Sequence, residues 1–287
     1  MPIAKEVKEM RRFIFSVTLL ALGFAAGLIT AQSSVLDGLG VRSGESMQVQ
    51  PPTAPLAFSD TFDRKADNFI PPWSRLVQAA PDRITTSSRH TRKGTHSAKL
   101  TVLDSDNPSG WGARADLSAD NMFCEGDDYY VGYSLLLPSD FLDQLSSDGW
   151  LMVAEDGYAG QGMPPFALYF IGGPSGGKFE LQARPDGHMT GKPILSVDPT
   201  YGKWMDVVTY YKFSADSSVG FIEVWINGEQ QTFRTGQESY RQNTLEPGSP
   251  VCGTLLHNSY RSAGMADSVT IYQDEIKVGQ TYKAVAP

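Results

Sequence analysis

An all-β fold, a sandwich or a barrel, is what this sequence predicts, and three observations carry the prediction. Ten short runs of alternating or continuous apolar residues follow one another at 97–103, 111–118, 128–137, 150–154, 166–171, 178–184, 205–213, 220–226, 254–260 and 268–278. Gly, Pro, Asn and Asp separate them, which is the residue chemistry of turns. No long segment repeats apolar residues at helical spacing, and only 141–145 offers a turn or two of helix.

The chain opens with Lys5, Lys8, Arg11 and Arg12 ahead of an apolar run over 13–29, then the small-residue site Ile29-Thr30-Ala31 before Gln32. Charge, then apolar, then small is the order of a signal peptide over 1–31. A retained anchor is the alternative, because the run approaches the ~18 apolar residues that span a bilayer. Either way the rest is expected outside the cytoplasm, secreted or periplasmic, and any membrane contact would come only through an uncleaved leader. Residues 32–55 are rich in Ser, Gly, Gln and Pro and read as a linker. One β domain is then expected over 56–284. The net charge of −8 becomes more acidic once a basic leader is removed, which argues against nucleic acid as a partner. An anionic polymer would need a locally basic groove.

Period-2 alternation assigns the faces. In 111–118 Trp111, Ala113, Ala115 and Leu117 share one side, and Gly112, Arg114 and Asp116 the other. Such a strand buries its small apolar side and turns a guanidinium and a carboxylate outward. Lys178, Glu180, Gln182 and Arg184 share a face, as do Asp206, Val208, Tyr210 and Lys212. Together with Asn258 and Tyr260 these are expected to form a carbohydrate groove carrying Arg114, Arg184 and Lys212; the solvated face of a sandwich is the alternative. His257 points away from Tyr260 by the same alternation, and so does Arg261. His90 and His96 flank Arg89, Arg92 and Lys93 in a basic loop, and His188 sits in a turn. Asn227-Gly228 predicts a type I′ hairpin between 221–226 and 229–233, because both central residues of that turn need positive φ. The two cysteines, Cys124 and Cys252, each precede an expected strand, and in an exported chain a disulfide between them is expected over two free thiols. Their spacing does not resemble a zinc site, and no metal ligand set is assigned. Calcium is a possible ligand for the carboxylates of Asp60, Asp63, Asp274 and Glu275, with solvated edge charges the alternative. Glu155 and Asp156 are adjacent and so face opposite ways, unlike the paired carboxylates of a retaining glucanase.

Several segments in order carry a resemblance: Arg114-Ala115-Asp116, Glu125-Gly126-Asp127-Asp128-Tyr129-Tyr130, Leu137-Pro138-Ser139-Asp140-Phe141, Trp150-Leu151-Met152-Val153, Pro164-Pro165-Phe166-Ala167-Leu168, Trp204-Met205-Asp206, the 220–228 hairpin, Asn258-Ser259-Tyr260-Arg261 and Asp274-Glu275-Ile276-Lys277-Val278-Gly279. With them the chain resembles the bacterial polysaccharide lyase family that has the heparin-lyase and glucuronan-lyase type of jelly roll. The resemblance implies an antiparallel, concanavalin A-like jelly-roll sandwich that cleaves a uronic-acid polysaccharide by β-elimination. It makes Arg114 the group that neutralises the uronate carboxylate. Tyr260 becomes base and acid in turn, given a nearby cation to lower its phenol from the usual pKa of about 10. Asp116, Gln182, Arg184, Tyr210, Lys212 and Asn258 are then the substrate-binding candidates, and no cofactor is implied. Two positions depart from the family pattern. Ala154-Glu155-Asp156 stands where Gln-x-His is usual, and Leu256 where related alginate-lyase-type enzymes have lysine. A noncatalytic carbohydrate-binding jelly roll is therefore the second expectation.

Overall fold

The computed structural model describes residues 56–64, 69–106, 112–144, 149–160, 163–173, 175–185, 190–249, 252–262 and 267–287. The leader, the linker, His188 and Trp111 lie outside them. Period-2 burial turns the described segments into strands: β1 (Phe58–Asp60), β2 (Arg75–Val77), β3 (Ile84–Ser87), β4 (Ser97–Leu103), β5 (Ala113–Phe123), β6 (Asp128–Leu136), β7 (Trp150–Ala154) and β8 (Phe166–Ile171). There follow β9 (Lys178–Ala183), β10 (Lys192–Val197), β11 (Trp204–Lys212), β12 (Phe221–Ile226), β13 (Glu229–Gln230), β14 (Tyr240–Arg241), β15 (Gly253–Arg261), β16 (Ser268–Gly279) and a short helix, α1 (Tyr282–Val285). All ten expected runs are strands, and 141–145 holds a 3₁₀ turn at Phe141–Gln144.

Two antiparallel sheets form a jelly-roll sandwich. Sheet one runs β13-β12-β11-β6-β16-β4-β3, with β1 beside β16 and β14 beside β12; sheet two runs β10-β9-β8-β7-β15-β5-β2. Strands adjacent in space are often distant in sequence, as in β6 beside β16 and β5 beside β15, because the chain passes repeatedly between the sheets. The core fills the gap with Leu100, Val131 and Val207 from sheet one and Ala115, Leu151, Phe170 and Leu255 from sheet two. Each large apolar side chain buried this way contributes about 1.5–3 kcal/mol.

The strands the sequence did not announce are short or at edges. β10 contains Pro193, beside which its register with β9 shifts, a placement suited to an edge strand. The hairpin forms at Asn227 (φ 51°) and Gly228 (φ 86°), but its second arm pairs only through β13, and Phe233 beyond it turns into the core. Cys124 and Cys252 are bridged, with Cα atoms 4.5 Å apart, where neighbouring β5 and β15 end and begin.

Candidate active site

The outer face of sheet two carries a groove of about 820 Å³, lined among others by Arg114, Trp150, Met152, Glu155, Tyr169, Gln182, Arg184 and Tyr260. Its floor is the β5–β15 ladder. Ala113, Ala115 and Leu117 point into the core, which leaves Arg114 opposite Tyr260 and Asp116 opposite Asn258 on the outer side. Gly112 has φ +123°, and a Cβ there would meet the Tyr260 ring at 2.8 Å, so a glycine lets the ring lie against the backbone. Arg114 packs over that ring at 4.3 Å from its centroid. Trp150 meets the same ring edge-on at 5.1 Å, and with Met152, Tyr169 and Ile171 it makes the apolar half of the groove.

Glu155 reaches this face through a bulge. Strict alternation from Trp150 and Met152 would place Ala154 outward, but the pairing of β7 with β8 shifts register between Met152 and Ala154, and its pairing with β15 shifts beside it. Val153 and Ala154 both join the core as a result. Glu155 then turns into the groove, while Asp156 faces the interior and accepts a 3.2 Å hydrogen bond from the Tyr211 hydroxyl.

The carboxyls here are buried and held near one guanidinium. Arg114 Nε lies 3.0 Å from Asp116 Oδ2, out of line for a hydrogen bond, so the contact is one of charge; its Nη2 lies 3.7 Å from Glu155 Oε1. Asn258 donates its amide to Glu155 Oε1. Burial raises Asp116 to about 6 against the pull of Arg114. Burial likewise raises Glu155 to about 7, with Arg114 opposing and Asp116 reinforcing. Burial raises Asp156 to about 7. Tyr260 is a correction to the sequence expectation: its phenol is raised, not lowered, because desolvation, with Glu155 and Asp116 behind it, outweighs Arg114. Arg184 donates to the Tyr169 hydroxyl at 2.5 Å and to Gln182 Oε1 at 3.2 Å. Its Nε and Nη1, together with Asp116 Oδ1 and Asn258 Oδ1, are buried without a hydrogen-bond partner among the described residues. Such a set of unsatisfied polar atoms beside a groove leaves sites that a ligand or ordered water can fill.

Six of the expected residues thus meet: Arg114, Asp116, Gln182, Arg184, Asn258 and Tyr260. Tyr210 and Lys212 do not. They belong to β11 of sheet one and point outward there; the Tyr210 hydroxyl donates to Asp128 at 3.1 Å, and Lys212 Nζ donates to Asp128 at 2.9 Å and to the Gly126 carbonyl at 2.7 Å. Alternation specifies which side of a strand a residue takes, not which sheet holds the strand. Glu155 was missed as a groove residue because bulges leave no mark in the hydrophobic pattern. His257 is wholly buried between the sheets, with Nδ1 2.8 Å from Gln273 Oε1, and burial lowers its pKa to about 4. Arg261 reaches Asp104 at 2.8 Å. In the basic loop Arg92 pairs with Asp206, and His90 packs on Tyr272 at 4.4 Å.

The carboxylates considered for calcium have protein partners. Asp60 accepts from Arg64 and from Trp73 Nε1 at 2.7 Å, Asp63 from the Thr95 amide, Asp274 from the Arg92 amide at 2.8 Å, and Glu275 from Lys277. Among the described residues no group of His, Cys, Asp or Glu is placed to hold a metal.

A model of the polysaccharide lyase family matches residues 63–277. The chain belongs to this family. Comparison with curated proteins found no match. Among solved structures, an endo-β-1,4-glucuronan lyase from the fungus Trichoderma reesei is similar at 17% identity with a TM-score of 0.57, over 81% of this chain and 99% of that one. An alginate lyase from Aplysia kurodai is similar at 14% identity and a TM-score of 0.45, over 72% and 90%. One from a Chlorella virus stands at 12% and 0.43, over 73% and 93%. The first of these agrees with the jelly-roll fold described above.

Proposed function

We propose that the protein is exported and cleaves a uronic-acid-containing polysaccharide by β-elimination. The observation that carries this reading is the packing of Arg114 over the Tyr260 ring on a groove floor whose neighbouring polar atoms lack partners. Elimination needs a cation or amide for the uronate carboxylate, a base for the C5 proton and an acid for O4. The planar fork of Arg114 suits a carboxylate, Asn258 adds an amide beside it, and the Tyr260 hydroxyl is a proton donor at the same place. Arg184, with Gln182 and Tyr169, forms a second polar anchor further along the groove. The apolar side formed by Trp150, Met152 and Ile171 suits the less polar face of a sugar ring.

The test is to incubate the full chain with a panel of uronic-acid polymers and follow the ultraviolet absorbance of the unsaturated product. Absorbance from at least one polymer supports the reading, and none from any defeats it. A noncatalytic carbohydrate-binding protein is the second reading, favoured by the buried Leu256 where related enzymes carry a lysine. Retention on an immobilised polymer with no product release distinguishes it.

A further inference from the structure

We infer that Glu155 is the base of the elimination and Tyr260 its acid, two groups on either side of Arg114 dividing a task that the family resemblance gives to tyrosine alone. This assignment rests on the lyase reading above. Three geometric facts support it. The β7 bulge turns Glu155 onto the groove. Its Oε1 lies 3.7 Å from Arg114 Nη2 while the same guanidinium covers the Tyr260 ring, so a uronate held by Arg114 would have both a carboxyl and a phenol as neighbours. Asn258 donates to that same carboxyl oxygen and fixes its orientation.

The charged and titratable groups around Glu155 come from each neighbouring element: Arg114 and Asp116 on β5, Tyr260 on β15, Tyr169 on β8, the adjacent Asp156, and Tyr158 and Arg184 beside the strands. Their balance with burial raises the carboxyl to about 7, a value matched to taking a proton near neutrality. The phenol is raised, so it enters the reaction protonated and is suited to giving a proton rather than taking one.

The step balances. The Glu155 carboxylate takes the C5 proton, the C5–H electron pair becomes the C4–C5 double bond, the C4–O4 bond breaks, and O4 receives the Tyr260 hydroxyl proton. Glu155 then returns its proton to the phenolate, directly or through solvent in the groove, and both groups are reset.

The experiment measures kcat and KM against pH for the full-length wild type, Glu155→Gln and Glu155→Asp on whichever uronan yields product. The wild-type kcat is expected to rise through a limb near pH 7. Glu155→Gln is expected to lower kcat by at least about 10²-fold with KM changed little, and Glu155→Asp to keep part of the activity with a displaced limb. Circular dichroism confirms that each variant is folded. A wild-type limb near or above pH 10, or a folded Glu155→Gln within about twofold of wild type, overturns the assignment while leaving the lyase reading intact. A wild type that releases no unsaturated product from any uronan defeats both.

Discussion

On sheet two Arg114, Asp116 and Asn258, with Glu155 just past β7, are outward, polar, buried and partly short of partners; on sheet one the outward polar side chains of β11, Asp206, Tyr210 and Lys212, are satisfied. Arg114, Asp116, Glu155 and Asn258 crowd together, with Asp116 Oδ1 and Asn258 Oδ1 lacking hydrogen bonds. Across the molecule Arg92 donates from Nε and Nη2 to Asp206 at 2.9 and 2.7 Å, and Lys212 and Tyr210 share Asp128. Part of that second face is also covered: Gly132 is closed off by the backbone of Val285 in α1, and Tyr282 packs against Tyr130 and Trp225. The same alternation builds both faces. What separates them is whether the polar atoms satisfy one another, since buried groups left unsatisfied cost stability that a ligand or an ordered water repays.

Removing one hydroxyl from each face tests the difference between them most strongly. Tyr260→Phe is expected to lower kcat by about 10²–10⁴-fold with KM little changed, because it takes away only a proton donor. Tyr210→Phe is expected to leave both constants within about twofold, its hydroxyl being engaged with Asp128. Steady-state kinetics on a cleaved uronan decide it; equal losses in the two variants would erase the distinction between the faces. On the proposed lyase reading, Arg114→Ala is expected to raise KM and lower kcat together, since charge neutralisation would act on a bound uronate and more strongly on an enolate-like transition state.

The faces differ next in how they are tied. The groove floor is cross-linked at one end by Cys124–Cys252, which joins neighbouring strands across a sequence separation of 128 residues. Cys124→Ser with Cys252→Ser is expected to cost about 2–5 kcal/mol of stability. Denaturant unfolding measures this, and an unchanged midpoint would show that the β5–β15 ladder holds without the bridge.

Opposite responses to pH set the groove carboxyls against Asp206, though not against Asp274 of sheet one, which burial also raises to about 6. Under and within the groove, burial raises Asp116 to about 6 and Glu155 and Asp156 to about 7. A carboxyl raised above its unfolded value binds its proton more tightly when folded, so its contribution is full below the unfolded value and is lost as pH rises toward the folded one, from about 4 to about 7. Asp206 on sheet one is lowered, because hydrogen bonds from Arg92 and Ser134 outweigh its burial. Its contribution is present above the unfolded value and lost as pH falls. His257, lowered to about 4 by burial, adds to the acid-side loss between about 6.5 and 4. Asp156→Asn is therefore expected to flatten the decline of stability between pH 5 and pH 8, by an amount of order 3 kcal/mol at most. Urea denaturation at several pH values tests it, and a slope identical to wild type would mean that Asp156 does not titrate in this range.

The sheets were legible from residue pattern because each expected run alternates or is continuously apolar, and because Asn227-Gly228 names its own turn. The pairing Arg114–Tyr260 was legible only through the order of short motifs, since periodicity gives each residue a side but no neighbour. Glu155 was illegible as a groove residue: one extra residue in β7 reverses every side assignment after it, and no side-chain type announces the bulge. Tyr210 and Lys212 misled for the complementary reason, an impeccable alternation on a strand that belongs to the other sheet.

Lys212 gives the smallest expected effect and the most direct check of that misreading. Its ammonium is satisfied at the surface by the Gly126 carbonyl and by Asp128, whose side chain is half exposed. Exposed ion pairs of this kind contribute about 0.2–1 kcal/mol, so Lys212→Ala is expected to shift stability by no more than that and to leave uronan cleavage unchanged. Removing the cation also leaves the Tyr210 hydroxyl its bond to Asp128, so the stacked pair Tyr130–Tyr210, 4.6 Å between centroids, should persist. If Lys212→Ala instead cut kcat/KM tenfold with a steep salt dependence, an anionic chain would have to reach the outer face of sheet one. The polymer would then engage both sheets, and the satisfied face would no longer be inert.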